Sequence, residues 1–353
     1  MSLQLSSEII HLPYREPFRI ARVHGGEGMS SMIVELRNDA WPDLVGYGEG
    51  YPDAYYGETL ETIGVVLPLL LAAIEPDELE VTAVDGAALS ERIGERFEAT
   101  IAHHGAAKCA LDTAVHDLVG KHLGLPVHRL LGLSSAIGPT DFTIGIDDPE
   151  VVAARAARAT RFPALKIKVG GPSDLETLEA VRRVFDGPIR VDANTAWTPE
   201  QGARLIPDLI RLGVELIEQP FPAHRIDQLG WLQERSALPL VADESAVTIR
   251  DLVGLVGVVD GVNVKLAKCG GPGPASRMLA RARELGFRTF LGCMEETSLG
   301  IAASAHVAAA ADWIDLDGCL LISGDPFEGL ELGADCRWQL TDTPGLGIRR
   351  RAN

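Results

Sequence analysis

Ile189-Arg-Val-Asp-Ala-Asn194 and, some twenty residues later, Val214-Glu-Leu-Ile-Glu-Gln-Pro220 decide the fold of this chain. Each is a short apolar run that closes on a carboxylate. The same kind of run recurs at Phe142-Thr-Ile-Gly145, Ala164-Leu-Lys-Ile167, Leu238-Pro-Leu-Val241, Gly261-Val-Asn-Val264, Arg288-Thr-Phe-Leu291 and Trp313-Ile-Asp-Leu316. Amphipathic helical segments lie between them, as from Asp174 to Phe185 and from Gly273 to Leu285. Alternation of this kind predicts parallel strands covered by helices. A doubly wound sheet gives the same alternation, but eight units of similar length, about 25 residues each, favour closure into a barrel.

The remainder of the chain lacks that rhythm. At 353 residues it exceeds the roughly 250 typical of a lone β/α barrel. Ser30-Ser-Met-Ile-Val-Glu-Leu-Arg37 and Val45-Gly-Tyr-Gly-Glu49 read as antiparallel strands. From Ala106 to Lys121, Leu111, Ala114, Val115 and Leu118 fall on one helical face. The expected architecture is α/β: a modified (β/α)8 TIM-type barrel over residues 126–323, with an α+β capping domain over 1–125. A C-terminal segment, 324–353, is expected to pack back on the cap.

Bulk composition narrows the partners. A net charge of −18 argues against nucleic acid and anionic membrane, which need a basic surface. The longest apolar run, Ile63 to Ile74, carries Pro68 and is too short to span a bilayer. Five scattered cysteines without a CxxC suggest reduced thiols and a cytoplasmic protein. No basic segment leads into an apolar core at the N-terminus, so no signal peptide is expected. A homo-oligomer acting on a small molecule is the expectation.

In such barrels chemistry collects at the C-terminal ends of the strands. Read in order, these ends are Lys166-Ile-Lys168, Asp192-Ala-Asn194, Glu218-Gln-Pro220, Asp243-Glu-Ser245, Lys265-Leu-Ala-Lys268 and Asp315-Leu-Asp317. Asp192, Glu218 and Asp243 thus end three successive strands. Three close carboxylates repel and take up protons unless a cation neutralises them. All-oxygen ligation suits Mg²⁺, or Mn²⁺, over Zn²⁺. Singly, each acid reads as a helix cap; three in a row flanked by lysines favour the metal.

Lys168 and Lys265 come from strands on opposite sides of the acids. Lysines at barrel tops also bind phosphate or pair with acids, but two facing each other across a metal point to proton transfer. Lys166 and the metal would lower the pKa of Lys168 towards a neutral base. Protons beside a carboxylate are very weakly acidic, and a bound divalent metal stabilises the enediolate formed on their removal. One lysine takes the proton from one face and the other returns it to the opposite face, inverting a stereocentre.

These strand ends, with Asn263-Val-Lys265-Leu-Ala-Lys268, resemble the enolase superfamily in its muconate-lactonising-enzyme subgroup. The resemblance covers nearly the whole chain. It implies Asp192, Glu218 and Asp243 as Mg²⁺ ligands, Lys168 and Lys265 as the acid/base pair, and Asn194 and Glu296 as supporting groups. Within the subgroup, Asp315-x-Asp317 looks like the dipeptide epimerases, where such acids hold an α-ammonium; a lone DxD would equally be a helix cap. Lys166, Lys268 and Thr143 are expected among the substrate contacts. Arg22 sits near the place where the Ala-Glu epimerases use an arginine.

Side-chain preference is read from the pocket wall. Glu295, in Cys293-Met-Glu295-Glu296, falls where those epimerases are apolar, and Asp53 lies in the cap loop Tyr51-Pro-Asp-Ala-Tyr-Tyr56. Acids there would repel an acidic side chain and attract a basic or polar one. Alternatives are N-acyl amino acid racemisation, o-succinylbenzoate synthesis or muconate cycloisomerisation, whose substrates lack a free ammonium. From another class comes a metal-dependent carboxylate-binding protein without turnover, which would not need the second lysine.

Overall fold

Strand β1 (Leu3–Ile20) and strand β2 (Val23–Asn38) form a long antiparallel hairpin, and β3 (Gly46–Gly50) pairs with the other edge of β2. Helices α1 (Leu60–Ala72), α2 (Gly86–Thr100) and α3 (Gly105–Leu123) complete this α+β unit. The computed structural model describes residues 2–352, without the side chains of 23–25. Met1 and Asn353, end points of the first and last expected segments, lie outside the described residues.

β3 reads Gly46-Tyr-Gly-Glu-Gly50, and its alternation explains its packing. A Cβ on Gly46, Gly48 or Gly50 would stand 2.1, 1.9 and 2.7 Å from the carbonyl oxygens of Ala114, Ala110 and Ala106. The strand therefore lies at backbone contact on one face of α3, where alanines recur every four residues. Tyr47 and Glu49 are turned to the opposite face.

Eight parallel strands follow: β4 (Phe142–Ile144), β5 (Leu165–Lys168), β6 (Ile189–Asp192), β7 (Val214–Glu218), β8 (Leu240–Ala242), β9 (Gly261–Val264), β10 (Arg288–Gly292) and β11 (Trp313–Asp315). They pair in chain order from β4 to β11. The Asp141 N–H donates to the Ile314 carbonyl at 3.0 Å, bringing the first strand beside the last. The sequence expectation of an eight-stranded barrel with an α+β cap is met.

Strand periodicity then separates core from chemistry. In β5, Leu165 and Ile167 join the apolar cluster under the helices, while Lys166 and Lys168 alternate with them. Leu216, Val241, Phe290 and Trp313 form a separate small apolar cluster, and the Lys166 and Arg190 cations lie 5.2 and 5.4 Å from the Phe290 ring. The carboxylates and lysines stand at the strand ends beyond this plug.

The C-terminal segment carries four two-residue strands, β12 to β15 (Phe327–Glu328, Glu331–Leu332, Trp338–Gln339, Arg349–Arg350), paired β12 with β15 and β13 with β14. It touches both units. Leu346 N–H donates to Asp117 of α3 and Arg350 pairs with Glu8 of β1. Trp338 donates to the Leu316 carbonyl at 2.8 Å, at the end of the barrel's last strand. No helix among the described residues is long and apolar enough to cross a membrane.

Candidate active site

Lys168, Asp192 and Glu218 are direct register partners on β5, β6 and β7. Asp243 follows β8 by one residue. Asp192, Glu218 and Asp243 are 0%, 0% and 1% exposed, and each offers one oxygen within 4.8 Å of the others. Burial raises Glu218 to about 7, reinforced by the Asp192 charge. Burial would also raise Asp243, but Lys265 and Lys268 outweigh it and hold the carboxyl well below the usual range. Burial at Asp192 is likewise outweighed by Lys168 and Lys166.

The lysines clasp this triad. Lys168 Nζ lies 2.7 Å from Asp192 Oδ2 and Lys265 Nζ 2.8 Å from Asp243 Oδ2. Each ammonium thus meets one outer acid, from opposite sides. Burial would lower the pKa of Lys265, but Asp243 outweighs it and raises it. Lys265 is thereby held in its charged form beside Asp243, which Lys268 also neutralises; the neutral base expected from the sequence is Lys168.

The fit to a divalent cation can be tested on one atom. Lys166 Nζ is 2.9 Å from Glu218 Oε2, yet off the direction of a hydrogen bond, so this buried oxygen has no donor among the described residues. Asn263 Nδ2 holds the other oxygen at 2.8 Å. A buried carboxylate oxygen left without a donor beside two further carboxylates matches a hard cation's needs.

Gln219 holds two turns together. Its Oε1 accepts from the Asp243 and Ser245 N–H groups at 2.9 and 3.1 Å, and its Nε2 donates to the Phe221 carbonyl and Ser245 hydroxyl at 2.8 and 2.9 Å. It achieves this at φ +33°, and Asn194 and Thr195 also have positive φ, 41° and 73°. Three non-glycine residues in sparsely populated backbone are concentrated after β6 and β7, at the acids themselves.

Several expected substrate contacts are placed differently. Lys268 donates to Asp243 Oδ1 and to the carbonyls of Asp243, Ala246 and Asn263, and its side chain is wholly buried. Its three protons are thereby used, so it positions Asp243 and does not meet a ligand. Thr143 holds the acids of the last strand: its N–H donates to Asp317 at 2.6 Å and its hydroxyl to Asp315 at 3.0 Å. Lys166 pairs with Asp315 at 2.8 Å. Burial raises Asp317 well above the usual carboxylate range, reinforced by the Asp315 charge. At Asp315, burial is outweighed by Lys166 and the pKa is lowered.

A cavity opens above the clasp, lined by Lys168, Lys265, Asp243 and Asn194 below and by Tyr14, Arg22, Tyr51, Asp53, Tyr56 and Glu295 around. Arg22 donates to Glu244 Oε1, lies 3.7 Å from Asp53 and stacks 4.2 Å from the Tyr55 ring centroid. Its charge is answered within the protein. Glu244 (3% exposed) is a fourth carboxylate that the sequence reading did not single out; Asn194 Nδ2 also donates to it, at 3.3 Å. Asp53 caps its own turn, accepting from Tyr55 N–H at 2.8 Å, and lines the cavity as well. Tyr51 faces Glu295: burial, then the Glu295 charge, pushes its hydroxyl well above the usual range. Glu296, expected as a supporting group, is buried and accepts from Met294 N–H at 3.2 Å, with burial raising it to about 8.

Comparison with known proteins assigns the chain. Residues 10–132 match the mandelate racemase / muconate lactonizing enzyme N-terminal domain, and residues 150–352 match the enolase C-terminal domain-like family. The chain belongs to the enolase superfamily. Within the superfamily it is 40% identical over 310 residues to the L-Ala-D/L-Glu epimerase of Bacteroides thetaiotaomicron, covering 87% of this chain and 78% of that protein. A dipeptide epimerase from Enterococcus faecalis, solved with Mg and the dipeptide L-Leu-L-Tyr, superposes with TM-score 0.89 at 34% identity, covering 99% of both chains. The N-succinyl Arg/Lys racemase of Bacillus cereus superposes with TM-score 0.90 at 31% identity, covering 99% of this chain and 96% of that one. By this kinship the superfamily member described here is an isomerase of the racemase and epimerase kind.

Proposed function

We propose that this isomerase epimerises dipeptides, inverting the α-carbon beside the C-terminal carboxylate by proton transfer between two lysines. The observation that carries the reading is the clasp, Lys168 on Asp192 and Lys265 on Asp243 from opposite sides of the triad. Carboxylate binding alone has no use for the second ammonium. Asp192, Glu218 and Asp243 would hold Mg²⁺, which when bound supplies positive charge against the enediolate's negative charge.

Both lysine amines line the cavity, so a substrate α-carbon between them meets one on each face. The unprotonated lysine takes the α-proton and becomes an ammonium. The electron pair delocalises into the carboxylate as an enediolate. The opposite ammonium then delivers its own proton to the other face, and solvent exchange resets the pair. Lys268 and Gln219 keep Asp243 in place during these steps.

Glu295 and Asp53 at the cavity wall, with Arg22 already neutralised by Glu244, support dipeptides carrying a basic or polar side chain. The Arg/Lys specificity in the name of the Bacillus cereus relative agrees with that. One observation favours the N-acyl amino acid alternative: Asp315 is already answered by Lys166 and Thr143, which leaves less for a substrate ammonium. Incubation with Mg²⁺ and a dipeptide library in D₂O tests the two. Mass gain at the α-carbon with Lys- or Arg-containing dipeptides is expected. No exchange with any dipeptide, but exchange with N-acyl amino acids, would establish the alternative.

A further inference from the structure

Glu49 is 1% exposed and sits on cap strand β3, on the face turned away from α3. Its carboxylate crosses to the barrel. Both oxygens accept from the Thr297 N–H at 3.2 Å, and Oε2 also accepts from the Thr297 hydroxyl at 2.5 Å and the Gly300 N–H at 3.1 Å. Thr297 is the N-cap of the barrel helix Ser298–Ala305. The first amides of a helix lack partners within it. Here Gly300 is met by Glu49, and Ser298 by Asp325 of the C-terminal segment at 2.8 Å.

The link between β10, which ends at Gly292, and this helix is Cys293-Met-Glu-Glu296. Cys293, Met294 and Glu295 line the cavity. The loop that carries Glu295 is thus anchored at its far end by a cap residue. Two residues beyond Glu49, Tyr51 lines the same cavity as Glu295. The end of this cap strand therefore leads from a residue that anchors the far end of the loop to one that shares the loop's cavity.

We infer that Glu49 is a positioning residue of the side-chain subsite: by holding Thr297 and Gly300 it fixes the β10 loop so that Glu295 meets the substrate, which ties substrate selection to cap docking. The inference rests on the reading that Glu295 faces the substrate side chain. A carboxamide substitutes only in part: its oxygen in the place of Oε2 keeps the Thr297 and Gly300 donors, but its NH₂ in the place of Oε1 is turned towards the Thr297 N–H donor.

Initial rates with Mg²⁺ and two probes, L-Ala-L-Lys and L-Ala-L-Ala, test it in the full-length enzyme. Glu49→Gln is expected to raise KM for L-Ala-L-Lys about tenfold, the loss of one well-placed charged contact. The kcat should stay within about twofold and KM for L-Ala-L-Ala should be unchanged. A role confined to stability would lower kcat for both probes by one factor and leave both KM values alone, which would overturn the inference. Should Glu49→Gln not fold, Thr297→Val removes one donor and keeps Glu49; a smaller rise in KM for L-Ala-L-Lys alone is then expected, and none would refute it. A wild type that does not favour L-Ala-L-Lys overturns the subsite reading and this inference together. A wild-type preference that survives Glu49→Gln unchanged overturns this inference only.

Discussion

Of the three carboxylates in the triad, Glu218 is the one whose charge the site least supports. Buried between Asp192 and Asp243, its carboxyl is raised to about 7, so below that pH it keeps its proton. A cation needs the ionised form, and the proton competes with it. Affinity should therefore fall as pH falls through 7, by about tenfold between pH 8 and pH 6 for one competing proton. Calorimetric Mg²⁺ titrations at the two pH values check this; equal affinities would contradict it.

At this scale the strand ends were legible because side chains alternate with period two, so every inward position near a strand terminus is a candidate. Lys268 misled because β9 ends at Val264 and the chain coils through Leu266–Cys269, turning that lysine under Asp243. Glu244 escaped notice for a related reason. Strand alternation would send it opposite to Asp243, but β8 ends at Ala242 and the rule no longer applies. Glu49 carries no local signal, since its partners Thr297 and Gly300 are about 250 residues away.

Among the elements, the turns after β6, β7 and β8 do the positioning. Gln219 joins two of them through four hydrogen bonds while itself fully buried. Gln219→Ala would leave the Asp243 and Ser245 amides and the Phe221 carbonyl without that partner. At roughly 1–3 kcal/mol for each of the two fully buried groups, the Asp243 amide and the Phe221 carbonyl, a loss of about 2–6 kcal/mol in urea unfolding is expected, together with weaker Mg²⁺ binding. Wild-type stability and affinity in this variant would show that the turn is held otherwise. The eight strands, and helical segments such as those around residues 111–118 and 174–185, could be read from apolar runs and periodicity. The C-terminal segment could be read only as an absence of that rhythm, because two-residue strands such as β12 and β15 have no pattern of their own.

Across the whole molecule, closure of the barrel does what no segment can. Lys168 ends the second barrel strand and Lys265 follows the sixth, yet both ammoniums reach the same carboxylate triad. The cap closes the cavity above them with Tyr14, Tyr51, Asp53 and Arg22. The central claim is that the two lysines serve opposite faces of one α-carbon, and α-proton exchange in D₂O measured on each stereoisomer separately tests it most directly. Lys168→Ala and Lys265→Ala should each abolish inversion, by at least about a hundredfold, while each retains deuterium uptake from only one stereoisomer, a different one in the two variants. Inversion at the wild-type rate in either variant would contradict the account.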